Sequence, residues 1–237
     1  MVVDMKKLFA ALAASAALCA PLPAMALEMS ETPQSNTTAR MGCMKLKECT
    51  EGVHRVENMQ DVIDVLGDRW VWTDEHEEDF GMEMIALFDR LNATGVKVYL
   101  AEGYNFPRTH RGSYYTDTNE FYLNAEWVKD PAIFMLVMRH EGWHAAQDCM
   151  AGTLDNTMIA VIHLPEDVPQ RYQTSAEIRY GMFAPKAIPW EAEAIWAGNT
   201  PMMTADALNA CASGPMWEEY EPTPLTREWL ESNGYIK

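Results

Sequence analysis

Two histidines and a glutamate lie at helical spacing in the segment Arg139-His140-Glu141-Gly142-Trp143-His144-Ala145-Ala146-Gln147-Asp148. His140 and His144 are four residues apart, so on a helix they would lie one above the other, close enough to bind one metal ion. Glu141 would lie about 100° around the axis from His140, where it can face a water on that ion without being a ligand. The spacing predicts a hydrolytic metal site.

The residues around this motif predict a buried helix. Asp130 suits the N-cap position, Pro131 suits the first helical position and Gly152 suits the end. Most residues between Pro131 and Arg139 are apolar on every face, which is typical of a helix inside a domain. A buried imidazole pair is costly without a partner such as a metal. The alternative is two histidines held by hydrogen bonds in the core.

The N-terminus has the pattern of a secretory signal peptide. Lys6-Lys7 precedes the apolar run 8–18, and Ala24-Met25-Ala26 is a small-residue cleavage site. We expect cleavage after Ala26 and an exported protein, either periplasmic or extracellular. The apolar run is too short to serve as a stable membrane anchor.

The remaining chain predicts one domain behind a flexible lead-in. Residues 27–41 are polar and without periodicity, whereas residues 42–237 have the length of one ordinary domain. The formal net charge of −17 argues against nucleic acid or an anionic membrane as a partner.

Four of the five cysteines lie beyond the signal peptide. An even number in an exported chain predicts two disulfides. Of the three pairings, we favour Cys43–Cys49, which would close a small loop, and Cys149–Cys211, which would tie the histidine helix to a later helix. Cysteine ligation of zinc is the less favoured alternative, because the chain has no CxxC pair.

The other elements predict an α+β class, a mainly helical domain with a small antiparallel sheet beside the histidine helix. Alternation predicts a strand at 95–100, and residues 113–116 and 120–124 predict a hairpin. An exposed edge strand there could pair with an extended peptide, and a purely structural hairpin is the alternative. Apolar spacing or start and stop residues predict helices at 58–69, 73–91, 154–163, 171–183, 189–197 and 206–211.

A catalytic zinc site needs a third protein ligand and an open position for water. Glu191 and Glu193 are the best source, because carboxylates in an otherwise apolar helix need a cation or strong donors. The alternatives are His163 at the end of an apolar run, Asp148 one turn beyond His144, and the remote residues His54, His76 and His110. Asp148 suits a supporting role better than ligation. His76 stands among carboxylates, which is more typical of a solvated helix start than of a second metal site.

The motif resembles the zincin metallopeptidases of the gluzincin type. His140-Glu141-Gly142-Trp143-His144 matches their His-Glu-x-x-His motif, and Glu191-Ala192-Glu193-Ala194 is similar to their later Glu-x-Glu-Ala-Asp segment. This resemblance implies that Glu191 is the third ligand, with Glu193 as the fallback. Ile195 stands where these families often have Asp. The metzincin pattern is absent, because no third histidine follows soon after His144.

The resemblance and the motif together predict a secreted zinc peptidase that acts on a peptide or protein substrate, with Glu141 as general base. The donor that stabilises the developing oxyanion is expected among Tyr172, Arg179, Tyr180 and His163, and the sequence does not select one. Two alternatives stay open. One is a zinc hydrolase that acts on another amide or ester, and the other is an inert, disulfide-bonded binding domain.

Overall fold

The computed structural model describes residues 51–106, 110–152, 159–221 and 224–232. The fold is α+β and helices predominate, as the sequence predicts. The strands are β1 (Val53–Val56), β2 (Lys97–Ala101), β3 (Gly112–Tyr115) and β4 (Glu120–Asn124). The helices are α1 (Met59–Leu66), α2 (Met82–Ala93), α3 (Pro131–Met150), α4 (Gln170–Tyr180), α5 (Ile188–Gly198), α6 (Met203–Ser213), α7 (Met216–Glu219) and α8 (Pro224–Ser232).

The four strands form a mixed sheet in the order β1-β2-β4-β3. The predicted β3–β4 hairpin is present, and Ser113 pairs with Tyr122 across it. The prediction of a purely antiparallel sheet is wrong, because β2 runs parallel to β4, with Tyr99 opposite Tyr122. After β2 the chain passes through a loop and the edge strand β3 before it turns into β4, and this places β4 beside β2 in the same direction.

Helix α3 is the centre of the domain and carries both histidines. The carboxylate of Asp130 accepts hydrogen bonds from the backbone N–H groups of Ala132 and Ile133, so the predicted N-cap is confirmed. The helix ends at Met150, and Gly152 follows with a φ of 111°. Helices α2, α5 and α6 and strand β3 pack against α3, which explains why the residues of its central turns are buried on every side.

A buried ion pair fixes α3 to α2. The guanidinium of Arg139 donates to both carboxylate oxygens of Glu83, and the Nε to Oε1 distance is 2.9 Å. The backbone N–H of Met202 also donates to Glu83. Both charged side chains are less than 10% exposed, at 4% for Glu83 and 8% for Arg139. The residue that precedes the first histidine is therefore held by a second helix.

The predicted helix over 73–91 is interrupted. It begins as one helical turn at Asp74–His76, widens into a π-helical turn at Glu77–Gly81 and then continues as α2. At its start, Nδ1 of His76 accepts a hydrogen bond from the backbone N–H of Thr73 at 3.1 Å. His76 therefore caps a helix, in agreement with the preferred interpretation of this acidic stretch.

The prediction of a helix over 154–163 is wrong for the part that the structure describes. Residues 159–163 have no regular structure, and residues 153–158 lie outside the described ranges. Ala160, Val161 and Ile162 are buried, so the apolar run fills the core as an irregular segment beside α5. The backbone N–H groups of Ile162 and His163 bond to the Glu193 side chain of α5, and that of Ala160 bonds to the Gln147 carbonyl of α3.

The predicted disulfide Cys149–Cys211 is present and links the end of α3 to α6. Cys43 and Cys49 lie outside the described residues, as do the predicted signal peptide and the lead-in. Among the helices of the described residues, none combines the length and apolar character needed to span a membrane.

Candidate metal centre

Two neighbouring turns of α3 and the first turn of α5 bring three buried side chains together. His140, His144 and Glu191 each offer one ligand atom, and these atoms all lie within 4.8 Å of one another. Nε2 of His140 lies 3.5 Å from Oε2 of Glu191, and Nε2 of His144 lies 3.7 Å from Oε1. These distances exceed those of direct hydrogen bonds, and they leave space for an ion among the three atoms.

Each imidazole is oriented by a partner on its other nitrogen. The ring of His140 donates to the backbone carbonyl of Ala194, and Nε2 has no partner among the described residues. Nδ1 of His144 lies 2.8 Å from Oε1 of Gln147. A donor bond from Nδ1 to an oxygen fixes the tautomer in which Nε2 carries the free lone pair, and that lone pair binds metals.

Burial shifts the pKa values of all three side chains. It lowers the pKa of His140 to about 3 and also lowers the pKa of His144, so both rings are neutral at pH 7. It raises the pKa of Glu191, which has no exposed surface, and the hydrogen bond from Tyr180 and the positive charge of Arg179 oppose that shift. A fully buried carboxylate that faces two neutral imidazoles is a set of N and O donors that suits a divalent metal ion.

Glu141 lies beside this group. Burial, and then the negative charge of Glu191, raise the pKa of Glu141 well above its ordinary value, whereas the backbone N–H of Tyr114 donates to its carboxylate and opposes that rise. The carboxylate packs on the edge strand, because a Cβ added to Gly112 would come within 3.0 Å of Oε1 of Glu141. A larger residue than glycine would therefore displace the side chain that we expect to handle protons.

The fallback ligand Glu193 points away from this group. Its carboxylate accepts hydrogen bonds from Trp143 Nε1 at 3.1 Å, from Gln147 Nε2 at 2.8 Å and from the backbone N–H of Ile162 at 2.9 Å. Burial raises the pKa of Glu193 to about 7, and these donors hold it lower than burial alone would. Glu193 thus positions Gln147, and Gln147 in turn positions His144. If Glu193 bound the metal ion instead, its hydrogen-bond donors would lose their acceptor.

The other predicted ligands also lie outside the group. The ring of His163 stacks on Trp143, with centroids 5.7 Å apart, and Asp148 accepts a hydrogen bond of 2.7 Å from the Tyr114 hydroxyl. His54 is exposed on β1, and His110 is buried ahead of β3. Within the described ranges, His140, His144 and Glu191 are the only such group.

Of the four predicted oxyanion donors, Tyr180 and Arg179 lie near the three-residue group. Burial raises the pKa of Tyr180 well above its ordinary value, and the nearby charges of Glu191 and Glu141 raise it further. The Tyr180 hydroxyl also bonds to Glu191. The hydroxyl of Tyr172 instead accepts a hydrogen bond from Arg171.

The supporting partners of the two imidazoles were not predicted. Gln147 is three residues after His144 on the same helix, and this spacing is a signal that a reader of the sequence could use. The carbonyl of Ala194 gives no such signal, because every residue has one.

Comparisons with models of protein families, with curated proteins and with solved structures found no match to this chain. The resemblance to the gluzincin metallopeptidases therefore rests on the motif residues, and the activity that it implies is a proposal.

Proposed function

We propose that this protein is an exported, zinc-dependent metallopeptidase. The observation that carries the proposal is the buried group of His140, His144 and Glu191, with Glu141 beside it and outside the ligand set. Two imidazoles, one carboxylate and an open position form the donor set typical of catalytic zinc. The disulfide between Cys149 and Cys211 supports an oxidising compartment, as does the predicted signal peptide.

Zinc bound there would supply a Lewis acid that makes water nucleophilic near neutral pH. Glu141 accepts the proton of the attacking water and then delivers it to the leaving amine. Its burial suits this role, since a carboxyl group with a raised pKa is a stronger base once ionised. The N–H of Tyr114 holds the carboxylate in place during the transfer.

We assign the stabilisation of the developing oxyanion to Tyr180. Its hydroxyl already lies at Glu191, and burial keeps it protonated, so it remains a hydrogen-bond donor at any pH at which the enzyme would work. A donor in a dry site stabilises negative charge far more than water does.

The edge strand supports a peptide as the substrate. The carbonyl of Arg111 accepts from the backbone N–H of Asn124, so Arg111 and Ser113 bond towards β4, whereas the backbone groups of Gly112 and Tyr114 point to the outer edge of the sheet. The expectation that this edge strand is exposed is wrong, because all four residues of β3 are buried. The N–H of Tyr114 reaches Glu141 from that edge. An extended peptide that pairs with Gly112 would place its backbone next to Glu141.

Metal content and peptide hydrolysis of the purified protein test this proposal. We expect about one zinc per chain, loss of zinc in His144→Ala, and retained zinc without hydrolysis in Glu141→Gln. Glu177→Gln, an exposed glutamate on α4, is the matched control and should change neither quantity. A protein without zinc would overturn the proposal, as would a Glu141→Gln variant with unchanged turnover. Zinc together with hydrolysis of esters but not of peptides would support the non-peptidase alternative.

A further inference from the structure

We infer that the metal centre is flanked by a binding site for a carboxylate group of the substrate, in which Arg111 is the main contact and Arg179 the second. This inference rests on the proposed function and deepens it, because it names the class of peptide that the enzyme would select. The ligand is a peptide that presents a carboxylate, either at its C-terminus or on an Asp or Glu side chain.

Arg111 is a buried cation that forms no ion pair with any described residue. The residue as a whole is 6% exposed, and its guanidinium lies over the ring of Trp127, with Cζ 5.0 Å from the ring centroid. Nε has no hydrogen-bond partner, and no carboxylate of the described residues forms an ion pair with it. The chain has 35 acidic residues and 18 basic ones, yet none of the described carboxylates pairs with Arg111, and its guanidinium is therefore suited to an anion from outside.

A second cation lies near the first. The positive charge of Arg179 lowers the pKa of Arg111, in addition to the larger effect of burial. Two neighbouring guanidinium groups repel each other, and this repulsion costs free energy unless an anion lies between them or close to them. Glu191 already lies near Arg179, so Arg111 is the member of the pair for which the described residues supply no carboxylate.

The two arginines lie beside the metal centre. Arg179 precedes Tyr180 at the end of α4, and its charge lowers the pKa of both His140 and Glu191. Arg111 directly precedes Gly112, the residue of the edge strand that packs on Glu141. We consider a peptide that lies along β3 with its scissile bond at Glu141. A carboxylate on that peptide, a short distance from the scissile bond, would come within reach of Arg111.

Planar guanidinium groups match the two oxygens of a carboxylate and bind it through two parallel hydrogen bonds. The ring of Trp127 fixes the plane of the Arg111 guanidinium before the ligand arrives. The same geometry would not favour a neutral amide, because an amide offers one acceptor oxygen and no charge.

Peptide binding to the Glu141→Gln protein tests the inference, because this background separates binding from turnover. The probes are four fluorescein-labelled pentapeptides of alanine and glycine. One has a free C-terminal carboxylate, one a C-terminal amide, and two amidated versions carry either one glutamate or one glutamine. We expect a carboxylate peptide to bind about tenfold more tightly than its neutral counterpart by fluorescence anisotropy. Comparison of the peptide that has a free C-terminus with the amidated peptide that carries a glutamate shows which carboxylate is preferred.

Arginine variants test whether Arg111 causes the preference for carboxylate peptides. Arg111→Gln in the same background should remove most of the preference, whereas Arg90→Gln, an exposed arginine on α2, should keep it. Circular dichroism checks the fold, and if Arg111→Gln does not fold, Arg179→Gln provides the second measurement and should weaken the preference. Equal binding of all four peptides would overturn the inference, as would an undiminished preference in the arginine variants.

The two proposals fail in distinguishable ways. If the protein with Glu141 intact hydrolyses all four peptides and the Glu141→Gln protein binds them equally, the peptidase stands and the carboxylate site is wrong. If carboxylate peptides bind selectively but no peptide is hydrolysed, the carboxylate site stands and the peptidase is wrong.

Discussion

In the proposed mechanism, stabilisation of the oxyanion depends on one group, the hydroxyl of Tyr180. Replacing it with Phe removes the hydroxyl that bonds to Glu191 and keeps the ring that packs against Phe183. We expect zinc to be retained and kcat to fall by about 10²-fold with a smaller change in KM, because the donor acts on the transition state. Tyr172→Phe, on the same helix and bonded to Arg171, is the control. A Tyr180→Phe variant with wild-type kcat would exclude the oxyanion role.

Because His110 is buried, the free energy of unfolding should depend on pH. Burial lowers its pKa from 6.5 to about 4, so between these values the unfolded chain binds a proton that the folded chain does not. Stability should therefore fall as the pH falls from 6.5 to 4, by up to about 3 kcal/mol from this residue. The free energy of unfolding in urea, measured at pH 7 and pH 5 for wild type and His110→Gln, checks this. His110→Gln should lose less stability on acidification, and an equal loss would refute the assignment.

At the residue scale, helical periodicity alone predicts His140 and His144 as candidate ligands and Glu141 as the candidate proton acceptor. The sequence could not choose Glu191 over Glu193 without the family resemblance, since both carboxylates share one apolar helix. The structure separates them by their surroundings. Glu193 meets N–H groups from an irregular segment that was wrongly predicted as a helix, so its partners could not be anticipated.

At the scale of elements, the link between α2 and α3 depends on the Glu83–Arg139 pair. Arg139→Met would leave a buried carboxylate without its cation, and we expect a loss of about 3–5 kcal/mol in the free energy of unfolding. Because the second change removes that unpaired charge, Glu83→Met combined with Arg139→Met should recover part of the loss. Urea unfolding of the two single variants and the double variant measures the coupling. Strictly additive losses would show that the pair does not act as a unit.

Elements with strong local signals were predicted well, and long-range pairing was not. Asp130-Pro131 marked the start of α3, and the hairpin turn Asp117-Thr118-Asn119 marked β3 and β4. Strand β1 was missed, because two of its four residues, His54 and Arg55, are exposed and its apolar alternation is short. The parallel pairing of β2 with β4 depends on where the whole hairpin docks, and no residue within either strand reports it.

At the scale of the whole molecule, the disulfide joins parts of the chain that are far apart in sequence. Cys149 and Cys211 are separated by 62 residues, and closing a loop of that length stabilises the folded state by about 4 kcal/mol in the chain-entropy model. Cys149→Ser with Cys211→Ser should lower the free energy of unfolding by that order, as measured in urea. Cys211→Ser alone breaks the same bond and should show a similar loss, whereas wild-type stability in either variant would contradict the expectation.

The helix that carries both histidines is fixed along its length by contacts that need no ion. The Glu83–Arg139 pair and the Thr204 hydroxyl on the Arg139 carbonyl hold its middle, and the disulfide holds its end. The ligand cage therefore exists before the ion arrives, unlike a zinc finger, which folds only around its metal. Dialysis against a chelator should strip the zinc and leave the far-ultraviolet circular dichroism spectrum unchanged, and added zinc should reload the cage within the time of mixing. The proposed enzyme would therefore leave the cell without its metal and would bind zinc only where its surroundings supply it.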